Sequence, residues 1–259
     1  MVDVMRIQQV HISHQVSFFA EEFCKLWGLH LYHDVDAPAL FFGCYDAREI
    51  DVINRHRGFK LVMPTGEDSN LPFLPAPDIA VLNTPFIRKP ENQHRELRHE
   101  VLNSPVKDFS ELKPAKFFGH KIYCYQGRGT DACKVKYNYA LLQDVMEEFG
   151  ADNFLIGIRG HTMEEMVNDF YTPCFLNLQL NAYAGFSSTL EMAHLGRRSI
   201  CNVKAPFCIP FKTAKDVVEA IKQEQKNLYT MALQPRSVNY MAGNYLEYGD
   251  FWLNTEFWQ

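Results

Sequence analysis

The chain has 259 residues, with 26 Lys+Arg against 31 Asp+Glu and a formal charge of -5. Hydrophobic residues make up 47% and charged residues 22%, a globular balance that excludes a disordered chain, a fibre and a collagen-like repeat. No run of about 18 apolar residues occurs, so no transmembrane helix is expected, and the acidic balance argues against nucleic-acid phosphate as the default partner.

Met1-Val2-Asp3-Val4-Met5 lacks the basic and apolar regions of a signal peptide, so none is expected. The seven cysteines, Cys24, Cys44, Cys124, Cys133, Cys174, Cys201 and Cys208, include no CxxC pair. They read as reduced thiols in a cytoplasm, forming neither a disulfide frame nor a zinc site.

Met5 to Ile12 reads as a first strand. Val16 to Trp27 reads as a helix with Phe19, Phe23 and Leu26 on one side. Ala39 to Tyr45 is an expected buried strand, followed by a helix over Ala47 to His56. Phe59 to Met63 and Ile79 to Leu82 are further expected strands, and Glu91 to Leu102 an expected polar helix. Asn103 to Lys116 carries Ser104-Pro105 and Lys113-Pro114 and reads as a linker. Alternation then restarts. Strands are expected at Lys121 to Tyr125, Phe154 to Ile158, Cys174 to Leu180 and Ser199 to Val203. Helices are expected at Lys136 to Phe149, Met163 to Phe170, Thr189 to Leu195 and Ala214 to Leu228. The tail from Val238 is aromatic and expected to be helical.

Strands alternating with helices imply parallel sheets covered on both faces. The expected fold class is therefore α/β, with two Rossmann-like domains, 1–103 and 117–230, and a cleft between them. Residues 104–116 form the linker, and 231–259 an aromatic segment.

Ligands of open parallel sheets sit at the carboxyl ends of strands, often at helix N-termini. One such stretch is Ala184-Gly185-Phe186-Ser187-Ser188-Thr189-Leu190-Glu191, which passes through a small-residue loop into a helix. Gly185, Ser187 and Ser188 let the backbone approach a ligand closely, and the helix start, with Thr189, can hold a diphosphate. Glu191 can accept from ribose hydroxyls. It also fits a cap in Ser188-Thr189-Leu190-Glu191, as Glu165 does in Thr162-Met163-Glu164-Glu165. Gly127-Arg128-Gly129 follows the strand at Lys121, with Lys134 and Lys136 expected to open the next helix. Arg128 can grip a diphosphate bidentately and the lysines can add point charges. His11 and His14 end the first strand, and Glu67 and Asp68 follow the strand at Phe59. These four are candidates for work on an acceptor or a leaving phosphate. Asp34-Val35-Asp36 has the form of a cation-holding pair but reads as a turn before Pro38.

From Lys121 to Glu224 the chain resembles the donor domain of GT-B glycosyltransferases, closest to family 4. Gly127-Arg128 with Lys136, and Gly185-Phe186 with Glu191-Met192-Ala193-His194-Leu195-Gly196, carry the resemblance. It implies a glycosyltransferase using a nucleotide-diphosphate sugar, with Arg128 and Lys136 on the diphosphate and Glu191 on the ribose. It implies retention, no metal and no cofactor beyond the donor substrate, whether hexosyl or pentosyl. The acceptor-side domain would be 1–103, the donor domain 117–230, and the final segment would pack back on the first domain. Tyr183 stands where the family carries an earlier carboxylate. That departure keeps a non-catalytic nucleotide-sugar-binding protein as an alternative, beside an epimerase or hydrolase of the same fold. The acceptor is open among glycan, protein, lipid and modified nucleic-acid base. The compact size suits a viral or phage enzyme in a host cytoplasm, and the aromatic tail allows a homodimer.

Overall fold

The structure is a computed structural model that describes residues 5–65, 79–83, 98–101, 108–109, 112–114, 119–127, 129–157, 161–180, 186–203, 205–230, 235–245 and 250–258. Four of the candidate residues, Glu67, Asp68, Arg128 and Gly185, lie outside them. The chain divides into two compact units, Met1–Asp108 with Leu246–Gln259, and Phe109–Tyr245.

The first unit holds six strands, β1 (Gln9–Ile12), β2 (His30–Leu31), β3 (Ala39–Phe42), β4 (Lys60–Met63), β5 (Ile79–Asn83) and β6 (Arg98–Val101). They lie in the order β2-β1-β3-β4-β5-β6, every pair parallel. Parallel strands buried on both faces read as continuous apolar runs, and Ala39-Leu40-Phe41-Phe42 is fully buried. Its alternate side chains feed two cores, because strand side chains have a period of two. Leu40 and Phe42 pack with Val10, Phe23, Trp27 and Leu61, while Phe41 packs with Ile53, Val62 and Val81. Phe23 stacks on Phe42 with centroids 4.4 Å apart.

Two expectations are corrected here. Residues 98–101 are a strand and not part of a polar helix, for Arg98 pairs with Ala80 and Val101 with Asn83. At a sheet edge, pairing with a neighbour outweighs the polar, helix-like composition, and charged residues suit an edge strand. The stretch 16–27 is not one helix. A 3-10 segment His14–Phe19 precedes the α-helix Ala20–Trp27, with non-helical backbone at Val16.

Three tail residues, Trp252, Leu253 and Trp258, belong to the first core. The Ile7 N–H donates to the Leu253 carbonyl at 2.8 Å, and the Thr255 N–H to the Met5 carbonyl at 3.0 Å. Trp252 meets Trp27 edge-on with centroids 5.0 Å apart.

The second unit holds β7 (Lys121–Tyr125), β8 (Phe154–Gly157), β9 (Cys174–Leu178), β10 (Arg198–Ile200) and β11 (Cys208–Ile209). Their order is β11-β10-β9-β7-β8, again parallel. One face packs Ile122, Leu176 and Leu178 against Leu142, Val145, Val217 and Ile221 of the helices Tyr139–Phe149 and Ala214–Thr230. The other carries Tyr123, Tyr171, Met192 and Leu195. The expected helix from Lys136 is two helices, Asp131–Lys136 and Tyr139–Phe149, separated where Asn138 turns left-handed at φ 53°. Thr162 and Glu165 form the reciprocal cap of a short helix, Met163–Glu165, that continues as the π-helical turn Met166–Tyr171.

All seven cysteines are free thiols. Burial pushes Cys124 and Cys174 up to about 12, which keeps both protonated. Among the described residues, no helix is long and apolar enough to cross a membrane.

Candidate functional site

In the first unit, β1 runs out at Ile12 into Ser13 and His14. The Ser13 N–H donates to the Phe42 carbonyl at 2.9 Å, which ties this loop to the end of β3. Beyond β3, Asp46 caps the helix Ala47–Arg55 in a reciprocal box with Glu49. Asp46 Oδ1 accepts the Arg48 and Glu49 N–H groups at 2.9 and 3.1 Å. The Glu49 carboxylate turns back and accepts the Tyr45 N–H at 2.6 Å and the Asp46 N–H at 3.3 Å.

Glu49 also reaches His14. Its Oε1 lies 3.2 Å from His14 Nδ1 and accepts the His14 N–H at 3.3 Å. Burial alone would push the Glu49 carboxyl up. The Ser13 hydroxyl, the Tyr45 N–H and His14 together outweigh burial and hold it below its ordinary value. His11 points elsewhere, with its ring among Tyr32 and Phe41 at 5.9 and 6.0 Å. Burial pushes its imidazole down, with Glu49 opposing. The ligand atoms of His14, Asp46 and Glu49 lie within 4.8 Å of one another. Both carboxylates are committed to backbone N–H groups, which is what a cap requires. Asp34 and Asp36 make a turn, as their spacing implies. Asp34 Oδ1 accepts the Asp36 N–H at 2.8 Å, and Arg57 forks onto the Asp36 carboxylate with both contacts at 2.6 Å.

In the second unit, β7 ends at Gln126, and Gly127 and Gly129 follow with φ of 67° and 70°. A Cβ at Gly127 would stand 2.7 Å from the Tyr137 ring, whereas one at Gly129 would meet nothing within 4 Å. Both positions need glycine for their backbone, and Gly127 also for the space it leaves. Lys134 and Lys136 occupy the last turn of Asp131–Lys136 and do not open the following helix. The cause is Thr130, whose hydroxyl accepts the Cys133 N–H and starts a helix earlier than expected. Lys134 pairs with Asp131 at 3.0 Å, and Lys136 Nζ lies 5.7 Å from the Tyr137 ring centre. Cations there favour the negative end of the short helix.

The helix expected from Thr189 spans Phe186–His194. Ser187, Ser188 and Thr189 therefore fall in its first turn, and the Ser188 cap reading fails because helical backbone begins before Ser188. The Ser188 hydroxyl donates to Gln179 Oε1 at 3.4 Å. Asn177, in the middle of β9, donates to Thr189 Oγ1 at 3.2 Å and to Ser199 Oγ at 2.9 Å. Glu191 is buried and accepts the Tyr171 hydroxyl. Burial first, then the Glu191 charge, raise the Tyr171 hydroxyl well above its ordinary value.

Sequence reasoning did not pick out Glu49, Tyr171 and Asn177. The signal for Glu49 was present, for Asp46-Ala47-Arg48-Glu49 has the spacing of a cap ahead of an apolar stripe. Tyr171 and Asn177 carry no local signal, since their partners are 20, 12 and 22 residues away.

Two parallel, helix-covered sheets in one chain define an α/β protein of two Rossmann-like units, the GT-B architecture. Among solved structures, the chain is similar to a mutant O-GlcNAc transferase from Thermobaculum terrenum. The TM-score is 0.53 at 10% identity, over 94% of this chain and 64% of that one. A glycosyltransferase from Rickettsia africae ESF-5 gives a TM-score of 0.52 at 8% identity, over 98% and 97% of the two chains. The pneumococcal O-GlcNAc transferase GtfA, solved with UDP and GlcNAc, gives 0.47 at 10% identity, and the chain spans 55% of its length. No protein-family model and no curated protein sequence matches the chain.

Proposed function

We propose that the protein is a glycosyltransferase that takes a sugar from a nucleotide-diphosphate donor. The observation that carries this reading is the pair of loops at the carboxyl ends of neighbouring strands in the second unit. After β7 come the positive-φ glycines that flank Arg128, and after β9 comes the nine-residue helix that opens with Phe186, Ser187 and Ser188. A helix N-terminus beside glycine-flanked backbone suits a diphosphate. Fold neighbours that are glycosyltransferases agree with it.

In this reading Arg128, Lys134 and Lys136 supply cations to the leaving diphosphate, the helix start adds its N–H groups, and no metal is needed. Glu191 serves the donor side from behind, through its bond with Tyr171. The resemblance to family 4 implies retention. An acceptor hydroxyl then meets the sugar on the face from which the diphosphate departs.

Calorimetry with UDP-, GDP- and ADP-sugars tests the reading. One of them binds, and Arg128→Ala weakens that binding by about 1.5–3 kcal/mol, the scale of a charge-assisted hydrogen bond. Unchanged affinity in the variant, or no binding to the parent protein, overturns it. Donor turnover without an acceptor would mark the epimerase or hydrolase, and binding without any turnover the non-catalytic protein.

A further inference from the structure

We propose that His14 is the base that takes the proton of the acceptor hydroxyl, and that Glu49 is the positioning residue that holds it in the working tautomer. This rests on the transferase reading above and deepens it.

The pair has the geometry of an oriented imidazole. Its carboxylate is buried and its imidazole is open, with side-chain exposures of 8% for Glu49 and 62% for His14. Glu49 is anchored at the other end by the Tyr45 and Asp46 N–H groups, so it cannot follow the ring outward. An ionised carboxylate accepts only, so the Nδ1 that faces it at 3.2 Å carries the proton. The Nε2 lone pair then faces solvent, where the Gln15 amide donates to it at 2.9 Å. That amide sits on an exposed side chain and marks the direction from which a hydroxyl can donate. His11, the other histidine of the strand, is enclosed by rings and offers no such edge.

The chemistry balances. His14 Nε2 takes the hydroxyl proton as the acceptor oxygen bonds to the anomeric carbon. The bond from that carbon to the donor diphosphate breaks, and its electron pair leaves with the diphosphate. A base-activated hydroxyl attacking opposite the leaving group inverts the configuration. The geometry of this unit therefore points to inversion, where the resemblance implies retention.

Glu49 has two jobs that one substitution separates. At the third helical position either Glu or Gln closes the capping box. Glu49→Gln therefore keeps the cap and removes the charge that fixes the tautomer. Long-range nitrogen–proton NMR of His14 in the intact protein reads the tautomer directly. The expected result is Nδ1–H in the parent protein and a mixture in Glu49→Gln. In transfer assays Glu49→Gln lowers kcat by about 10²-fold or more, since orienting carboxylates act through tautomer control. The donor KM stays unchanged, and the melting temperature stays within about 2 °C. His14→Ala lowers kcat by about 10²–10⁴-fold, the range of general-base catalysis, and the product carries the inverted configuration.

Several results overturn the proposal. They are an Nε2–H tautomer in the parent protein, an unchanged kcat in either variant, or a retained anomer. Asp46→Asn keeps the helix cap. If it matches the loss of Glu49→Gln and chelation abolishes activity, the three residues hold a cation instead. Absence of donor binding by the parent protein overturns the transferase reading and this proposal together, whereas donor transfer that ignores both variants overturns this proposal alone.

Discussion

His56 shows how a single buried side chain sets a pH response. It is 1% exposed, with Nδ1 facing the Tyr32 hydroxyl at 3.1 Å and Nε2 facing the Phe59 carbonyl at 3.3 Å. Burial pushes its imidazole below the ordinary value. The Phe59 carbonyl opposes this, Lys60 adds to it, and Asp34 and Asp36 oppose it. His11 is lowered in the same sense, by burial against Glu49. An unfolded histidine titrates near 6.5, so between that value and the lower folded one the unfolded chain binds more protons. The stability held by neutral His56 and His11 is complete above about pH 6.5 and is lost as the pH falls through their folded values. Urea unfolding at pH 8 and pH 5.5 should give the lower midpoint at 5.5, with the difference reduced in His56→Gln. Equal midpoints, or a higher one at pH 5.5, would contradict this.

At the scale of the element, the helix Phe186–His194 is held by polar contacts beneath it. Asn177 grips Thr189 and Ser199, and Tyr171 donates to Glu191. A carboxylate taken out of water must be hydrogen-bonded, so these contacts fix where the helix start sits on the sheet. Tyr171→Phe keeps the ring and removes one donor. It should cost about 1–3 kcal/mol, the penalty of leaving a buried polar group short of a partner. Denaturant unfolding followed by far-ultraviolet circular dichroism checks it, and a cost near zero would mean that water replaces the hydroxyl. Glu191 was legible as a special residue because it interrupts an apolar helix face. Its role as the partner of Tyr171 was not, because that bond joins residues 20 apart in sequence. The edge strand at Arg98 was hidden for a related reason, since backbone pairing with Ala80 to Asn83 leaves no mark in its own composition.

For the whole molecule, the chain closes its first unit with its last residues. Trp252 and Trp258 join Trp27 in one core, and these are all three tryptophans of the protein. Tryptophan fluorescence therefore reports on the first unit alone. Trp252→Ala should destabilise that unit by about 3–5 kcal/mol, the cost of emptying a large aromatic site. The fluorescence transition of Trp258→Phe, which keeps an aromatic ring, should move much less. Equal shifts would show that Trp252 does not fill the core in the manner described.

Periodicity and composition alone determined the α/β class. Apolar runs of four or five residues alternate with amphipathic stretches, and only parallel sheets with helices on both faces bury both kinds of segment. The turn at Asp34 and the cap at Thr162 were legible too, because a turn or a cap is made by residues two or three apart. The tertiary structure decided what depends on residues far apart in sequence. It set the strand order, the edge strand at Arg98, the Tyr171–Glu191 bond and the placing of Glu49 behind His14. The 35 residues between His14 and Glu49 carry no pattern that announces the pair. Two loops at the carboxyl edge of one sheet bring it together, and the register of β1 against β3 sets that approach.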